Sequence, residues 1–187
     1  MTARIIALLL VGSLIGAESN AASFDSIASN VRLGLGLGRL KVESAGQSAP
    51  GWSLISGYEF NPYLSAELGY LLNSGDRFTV LKPVNGGTQV DSLNNHSWNI
   101  SGLGTWPFND TYSIFGRLGM MTWSGNSLVV QGAAQSESDL KGNAFYYGAG
   151  GAYTIGTASI RLEYQRTSLL EHVVTYVTVS AVWKLSK

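Results

Sequence analysis

From Val31 onward, every second residue is apolar in one segment after another, and that period of two belongs to strands. Val31-Arg32-Leu33-Gly34-Leu35-Gly36-Leu37-Gly38 puts aliphatics at odd positions and Arg or Gly at even ones. In 63–72, Leu64, Ala66, Leu68, Tyr70 and Leu72 alternate with Ser65, Glu67 and Gly69. In 158–166, Ile160, Leu162 and Tyr164 alternate with Arg161, Glu163 and Gln165. In 172–185, Val173, Val177, Val179, Ala181 and Trp183 share a face. Softer alternation covers 51–60, 96–106, 112–124 and 144–155, and helical periodicity is almost absent after residue 30. This predicts eight strands, and a tilted membrane strand needs ~9–11 residues. Short connections at Asn61-Pro62, Pro107 to Thr111 and Gly156-Thr157 alternate with more polar ones at 43–50, 73–95, 125–143 and 167–171. Tight turns at one end and longer loops at the other predict an all-β, eight-stranded antiparallel up-and-down transmembrane β-barrel.

The same alternation would suit a secreted lipocalin-like barrel, which buries its apolar face. Only 13% of residues are charged, half the usual ~25%, an unusual composition that calls for an explanation. The aromatics decide for the bilayer, because they fall in two groups. Tyr58, Phe60, Tyr63, Trp106, Phe108, Tyr112, Tyr153 and Trp183 lie near the turn ends of strands, whereas Trp52, Tyr70, Trp98, Trp123, Phe145 and Tyr147 lie near the loop ends. Two girdles match the two interfaces of a membrane. If the apolar parity faces lipid, Arg32, Glu59, Glu67, Arg117, Arg161 and Glu163 point into the lumen, with Lys184 near the rim. Three positive and three negative charges in a narrow lumen are expected to pair and plug it; the other reading of such a cluster is a gate or ion path. Inward Gly34, Gly36, Gly38, Gly69, Gly119, Gly148 and Gly150 would make room for them.

Arg4 and the twelve residues from Ile5 to Gly16 are too short for a transmembrane helix, which needs ~20. With Ser19 and Ala21 as small residues before the cut, 1–21 is expected to be a signal peptide and 22–187 the barrel domain. The net charge of zero offers no field for nucleic acid, and the absence of cysteine excludes disulfides and thiolate metal sites.

The segment Gly57-Tyr58-Glu59-Phe60-Asn61-Pro62-Tyr63-Leu64-Ser65-Ala66-Glu67-Leu68-Gly69-Tyr70 resembles the second hairpin of the OmpA-type transmembrane barrel. Arg117 to Trp123 resembles that family's fifth strand, and Ala149 to Ile155 and Arg161-Leu162-Glu163-Tyr164-Gln165 its sixth and seventh. The likeness runs from about residue 31 to 185. It implies a barrel of the bacterial outer membrane with periplasmic termini, outer-membrane lipid and lipopolysaccharide as surroundings, and a C-terminal strand read by the barrel-insertion machinery. It also implies an interior charge cluster at Glu67, Arg117, Arg161 and Glu163. Leu103 stands where the family has an interior lysine, Ala152 where it has a further glutamate, and Leu185 where it has a terminal aromatic. No peptidoglycan-binding domain is expected.

No cofactor, metal or catalytic activity is expected. His96 and His172 lie near loop ends with Ser97, Ser168 and Glu171 close in sequence, but Glu171 and His172 are strand neighbours that face opposite ways, so adjacency cannot build a triad. The expected function is structural or surface-interacting and adhesin-like, with any extracellular ligand held at loops 73–95 and 125–143. A small porin-like channel is the alternative, and a lipid A-modifying enzyme a more distant one.

Overall fold

Strand-forming residues alternate over most of the chain, and the strands they form close on themselves. A computed structural model describes residues 29–43, 46–73, 78–84, 87–93, 96–131, 134–169 and 172–185. The expected signal peptide, 1–21, lies outside the described residues. The strands are β1 (Val31–Val42), β2 (Gln47–Asn61), β3 (Leu64–Asn73), β4 (Phe78–Val84), β5 (Gly87–Leu93), β6 (His96–Pro107), β7 (Tyr112–Gln131), β8 (Ala134–Ile155), β9 (Ala158–Leu169) and β10 (His172–Lys184).

Eight of them, β1, β2, β3, β6, β7, β8, β9 and β10, form a closed antiparallel ring, sealed where β1 pairs with β10 and β7 with β8. Stepping sideways through the register from Arg32 by Gly57, Glu67, Ser101, Gly119, Tyr146, Thr167 and Val174 returns to β1 at Val42, ten residues further along. A stagger of that size over eight strands tilts them by about 40°.

The tight turns use local chemistry. Asn61 Oδ1 accepts a bond from the Tyr63 amide at 2.9 Å, and Asn109 Oδ1 accepts from the amides of Thr111 and Tyr112 at 2.9 and 2.7 Å. Gly156 takes φ +58° in the two-residue β8–β9 turn, a conformation that the mirror-image hairpin turns require. At this end the Lys184 amide donates to the Thr157 carbonyl and the Leu185 amide to the Val31 carbonyl, so both ends of the barrel chain share the turn side. By the usual asymmetry of such barrels this side is periplasmic.

Polarity is inverted. Leu35, Leu54, Ile100, Leu118, Phe145 and Leu162 are half or more exposed, whereas Glu67, Arg117, Arg161 and Glu163 are at most 5% exposed. A soluble barrel would reverse that arrangement, so the lipocalin-like reading fails and the outer face is built for hydrocarbon.

Two of the expected loops prove to be sheet. Segment 73–95 contains the hairpin β4–β5, and β5 pairs with β7 from Thr88↔Val130 to Leu93↔Gly125, beyond the stretch that β6 occupies. Segment 125–143 continues β7 and β8, which stay paired from Tyr112↔Tyr153 to Gln131↔Ala134. Scattered charges and glycines blur the period of two there, while Phe78, Thr79, Val80 and Leu128-Val129-Val130 keep a preference for extended backbone. The connections at 43–50 and 167–171 are likewise shortened, because β2 begins at Gln47, β9 runs to Leu169 and β10 starts at His172. Beyond the barrel stands a four-stranded sheet in the order β4-β5-β7-β8.

Candidate functional site

The lumen is lined by the residues that share parity with the charges. Space for them comes from glycine. A Cβ on Gly57 would lie 2.8 Å from Glu67 Cγ, and one on Gly150 would lie 2.6 Å from the Phe115 ring.

At mid-height the four buried charges form one chain of bonds. Arg117 grips Glu163 through a fork, Nε to Oε1 at 2.5 Å and Nη2 to Oε2 at 3.0 Å. Its Nη2 also donates to Glu67 Oε2 at 2.8 Å and its Nη1 to Ser101 Oγ at 2.8 Å. The other oxygen of Glu67 accepts from Arg161 Nη1 at 2.6 Å, and the Arg161 guanidinium lies 5.6 Å from the centre of the Phe115 ring. Two cations and two carboxylates cancel, which makes burial of all four tolerable. Arg32 and Glu59 sit lower. Arg32 Nη2 donates to Glu59 Oε2, and Lys184 Nζ lies 3.7 Å from the same oxygen. This second group is partly open to a cavity of about 370 Å³ on the periplasmic side, which Arg161 also lines. All six sequence-selected charges face inward, four in one network and two in the vestibule below it.

The departures from the family pattern fall at the boundary between these groups. Leu103 is buried at 1% exposure, and Ala152 stands across from Arg161 in the β8–β9 register. Arg161 is therefore left with the Glu67 carboxylate, where Arg117 has two.

Above the network the lumen changes character. Leu40, Val42, Leu71, Leu169, Val174 and Tyr176 form an apolar cap, with Met121 and Trp123 packed against it. This corrects the placement of Trp123 in the outer girdle. Leu118 and Met120 face lipid, so Trp123 shares the inward parity of Arg117 and Gly119. Tyr146, whose hydroxyl donates to Asn99 Oδ1 at 3.0 Å, and Tyr176 also point inward. Parity could have found all three, since Tyr146 matches Gly148 and Tyr176 matches Thr178. The cap leaves a cavity of only about 50 Å³.

The remaining candidates are scattered. His96 shares the outward parity of Trp98 and Ile100, whereas His172 shares the inward parity of Val174 and Tyr176. Glu171 lies outside the described residues. Among the described residues, no group of three His, Asp or Glu side chains could hold a metal ion.

The outer sheet is the other candidate surface. Among the described residues, β4 is its last strand on one side, and on the other β8 has no strand partner besides β7 until Tyr146 meets Thr167 of β9. Pro83 within β4 lacks an amide donor and blunts that edge.

Comparison with known proteins agrees with this geometry. The model of the OmpA-like transmembrane domain family matches residues 14–181. The crystal structure of Ail, the attachment invasion locus protein of Yersinia pestis, in complex with the heparin analogue sucrose octasulfate, is similar at TM-score 0.51. It shares 17% identity, with 82% of this chain and 96% of that one covered. The crystal structure of Neisserial surface protein A is similar at TM-score 0.51 and 15% identity, with 82% and 95% covered. No curated protein sequence matches. A closed eight-stranded ring, an apolar exterior, a charged interior and a family match over most of the chain have one common reading: the chain belongs to the OmpA-like transmembrane domain family and is a β-barrel of the bacterial outer membrane.

Proposed function

We propose that this protein is a surface-interaction barrel: a plugged membrane anchor that holds a rigid, adhesin-like sheet outside the cell. The observation that carries this reading is the length of the β7–β8 ladder. β7 has 20 residues and β8 has 22, about twice the ~9–11 that a tilted strand needs to cross a bilayer. The surplus stays paired and is flanked by β5 and β4. A sheet held on a rigid barrel presents its edges and faces with little ordering entropy left to lose on binding. Exposed edges also offer backbone donors and acceptors to an extended polypeptide. The Ail structure in complex with the heparin analogue sucrose octasulfate is an example of such a barrel with a bound ligand.

The lumen supports the anchor role over the channel. Between the vestibule and the outer end lie the Glu67–Arg117–Arg161–Glu163 network and then the apolar cap. Insertion of the barrel through its C-terminal strand β10 belongs to the same reading.

The test shortens the sheet and spares the barrel. Replacing 78–93 and 125–142 with short glycine-rich turns is expected to leave the heat-modifiable gel shift of an intact barrel. Adhesion of expressing cells to immobilised heparin and matrix proteins should fall to the level of cells lacking the protein. Undiminished adhesion, or steady single-channel conductance that changes in Glu67→Ala, would overturn the reading.

A further inference from the structure

The periplasmic vestibule is apolar above and polar below. Leu103, Phe115 and Val182 each lie one inward step beneath a residue at the height of the charge network, namely Ser101, Arg117 and Ser180. All three line the cavity of about 370 Å³ and are at most 5% exposed. Ala152, in register with Arg161, adds only a methyl group at that height. One step below Val182 on β10 comes Lys184, in register with Arg32 of β1. The charge network and the apolar cap stand above, so the cavity is approached from the periplasm.

Three cations line this space, Arg161 at the top and Arg32 and Lys184 lower down, and they share their carboxylates. Glu67 serves Arg161 and Arg117, and Glu59 serves Arg32 and Lys184. Lys184 Nζ lies 3.7 Å from Glu59 Oε2, beyond a hydrogen bond, and its side chain is 36% exposed. Arg32 Nε has no hydrogen-bond partner among the described residues. Both lower cations therefore keep donor capacity that Glu59 does not absorb. Asp110 is the other acidic residue lining the cavity, and it is exposed in the 107–111 turn.

Cationic donors beneath buried apolar side chains complement a molecule with an anionic head and an apolar body. A planar guanidinium matches a carboxylate in particular, and the volume falls within the ~300–1,000 Å³ of small-molecule sites. We propose that the vestibule is a binding site for a small organic carboxylate of the periplasm. The carboxylate meets Lys184 and Arg32, and the apolar body lies against Leu103, Phe115 and Val182. Occupancy stabilises the barrel by mass action. The site belongs to the periplasmic end alone and is independent of what the outer sheet binds.

The test reconstitutes the protein in nanodiscs of zwitterionic phospholipid and titrates it with benzoate, benzamide and inorganic phosphate. Binding is followed by amide NMR shifts and by the temperature at which the heat-modifiable gel shift is lost. Benzoate is expected to saturate in the millimolar range, to move amides of the turn-side halves of β1, β6, β7 and β10, and to raise that temperature. Benzamide has the same shape without the charge and should bind more weakly by about tenfold or more, the worth of a hydrogen bond between charged groups. Lys184→Gln, outside the buried network, should keep the gel shift and show a similar loss for benzoate. Ala152→Glu sets a tethered carboxylate beside Arg161 in the apolar part of the cavity and should abolish benzoate binding. Equal binding of benzoate and benzamide, unchanged benzoate binding in either variant, or shifts confined to the loop-side halves of the strands would each overturn the site. So would phosphate displacing benzoate at equal concentration, because the cations would then hold a bare anion with no use for the apolar residues.

Discussion

The two halves of the lumen solve one packing problem with opposite chemistry. Toward the periplasm the interior is filled by ion pairs, Arg117, Glu67, Arg161 and Glu163, with Arg32 and Glu59 below. Toward the outside it is filled by Leu40, Val42, Leu71, Val174, Tyr176 and their neighbours, as in a soluble core. An eight-stranded barrel leaves only enough space for side chains, so both halves must be packed. The charged half lies above an open vestibule and fixes geometry through directional bonds. The apolar half relies on shape and offers water few polar partners. The charges therefore make pairing specific, and the cap fills space with apolar side chains.

Breaking the charged half is expected to give the largest effect. Glu67→Ala removes the carboxylate shared by two arginines and leaves both buried with less compensation. Destabilisation of about 3–5 kcal/mol is expected, measured by denaturant unfolding in detergent or by the temperature at which the heat-modifiable shift is lost. Trp123→Ala empties part of the cap and should cost about 2–4 kcal/mol in the same measurement, because the barrel wall cannot collapse into the space. Raising salt to 1 M should leave both losses nearly unchanged, as the four charges are at most 5% exposed and the cap is apolar.

Two smaller changes sharpen the contrast. Among the described residues, the buried Tyr176 hydroxyl has no hydrogen-bond partner. Tyr176→Phe is thus expected to stabilise the barrel by about 1 kcal/mol, read as a higher unfolding midpoint; a lower midpoint would mean the hydroxyl is satisfied. Arg32→Gln breaks a pair whose side chains are 26% and 13% exposed, with Lys184 left as a second partner for Glu59. Its loss should be under about 1 kcal/mol and should shrink further in high salt.

The inward charges were legible from parity because they sit in the cleanest alternation, such as Arg161-Leu162-Glu163-Tyr164 on β9. Their partners were not. Arg161 meets Glu67 across 94 positions of sequence, and only barrel closure and stagger bring those strands' side chains together. The upper cap was missed for a different reason. Trp123 near a strand end looks like a girdle residue by composition, and only counting its parity from Arg117 turns it inward. The outer sheet escaped notice because β5 pairs with β7, more than thirty positions later, a long-range contact that no local pattern announces.

Sequence alone determined the barrel. Period-two alternation, low charge, tight turns and two sets of aromatics leave few structures that satisfy every backbone group in a lipid solvent. Tertiary structure alone decided what the barrel carries: which arginine holds which glutamate, where the lumen turns apolar, how far β7 and β8 rise beyond the membrane, and which side chains meet around the vestibule. A side chain's face is a local property of its strand, whereas its neighbour across the lumen or along the wall depends on stagger. Stagger is summed around all eight strands and appears only when the ring is closed.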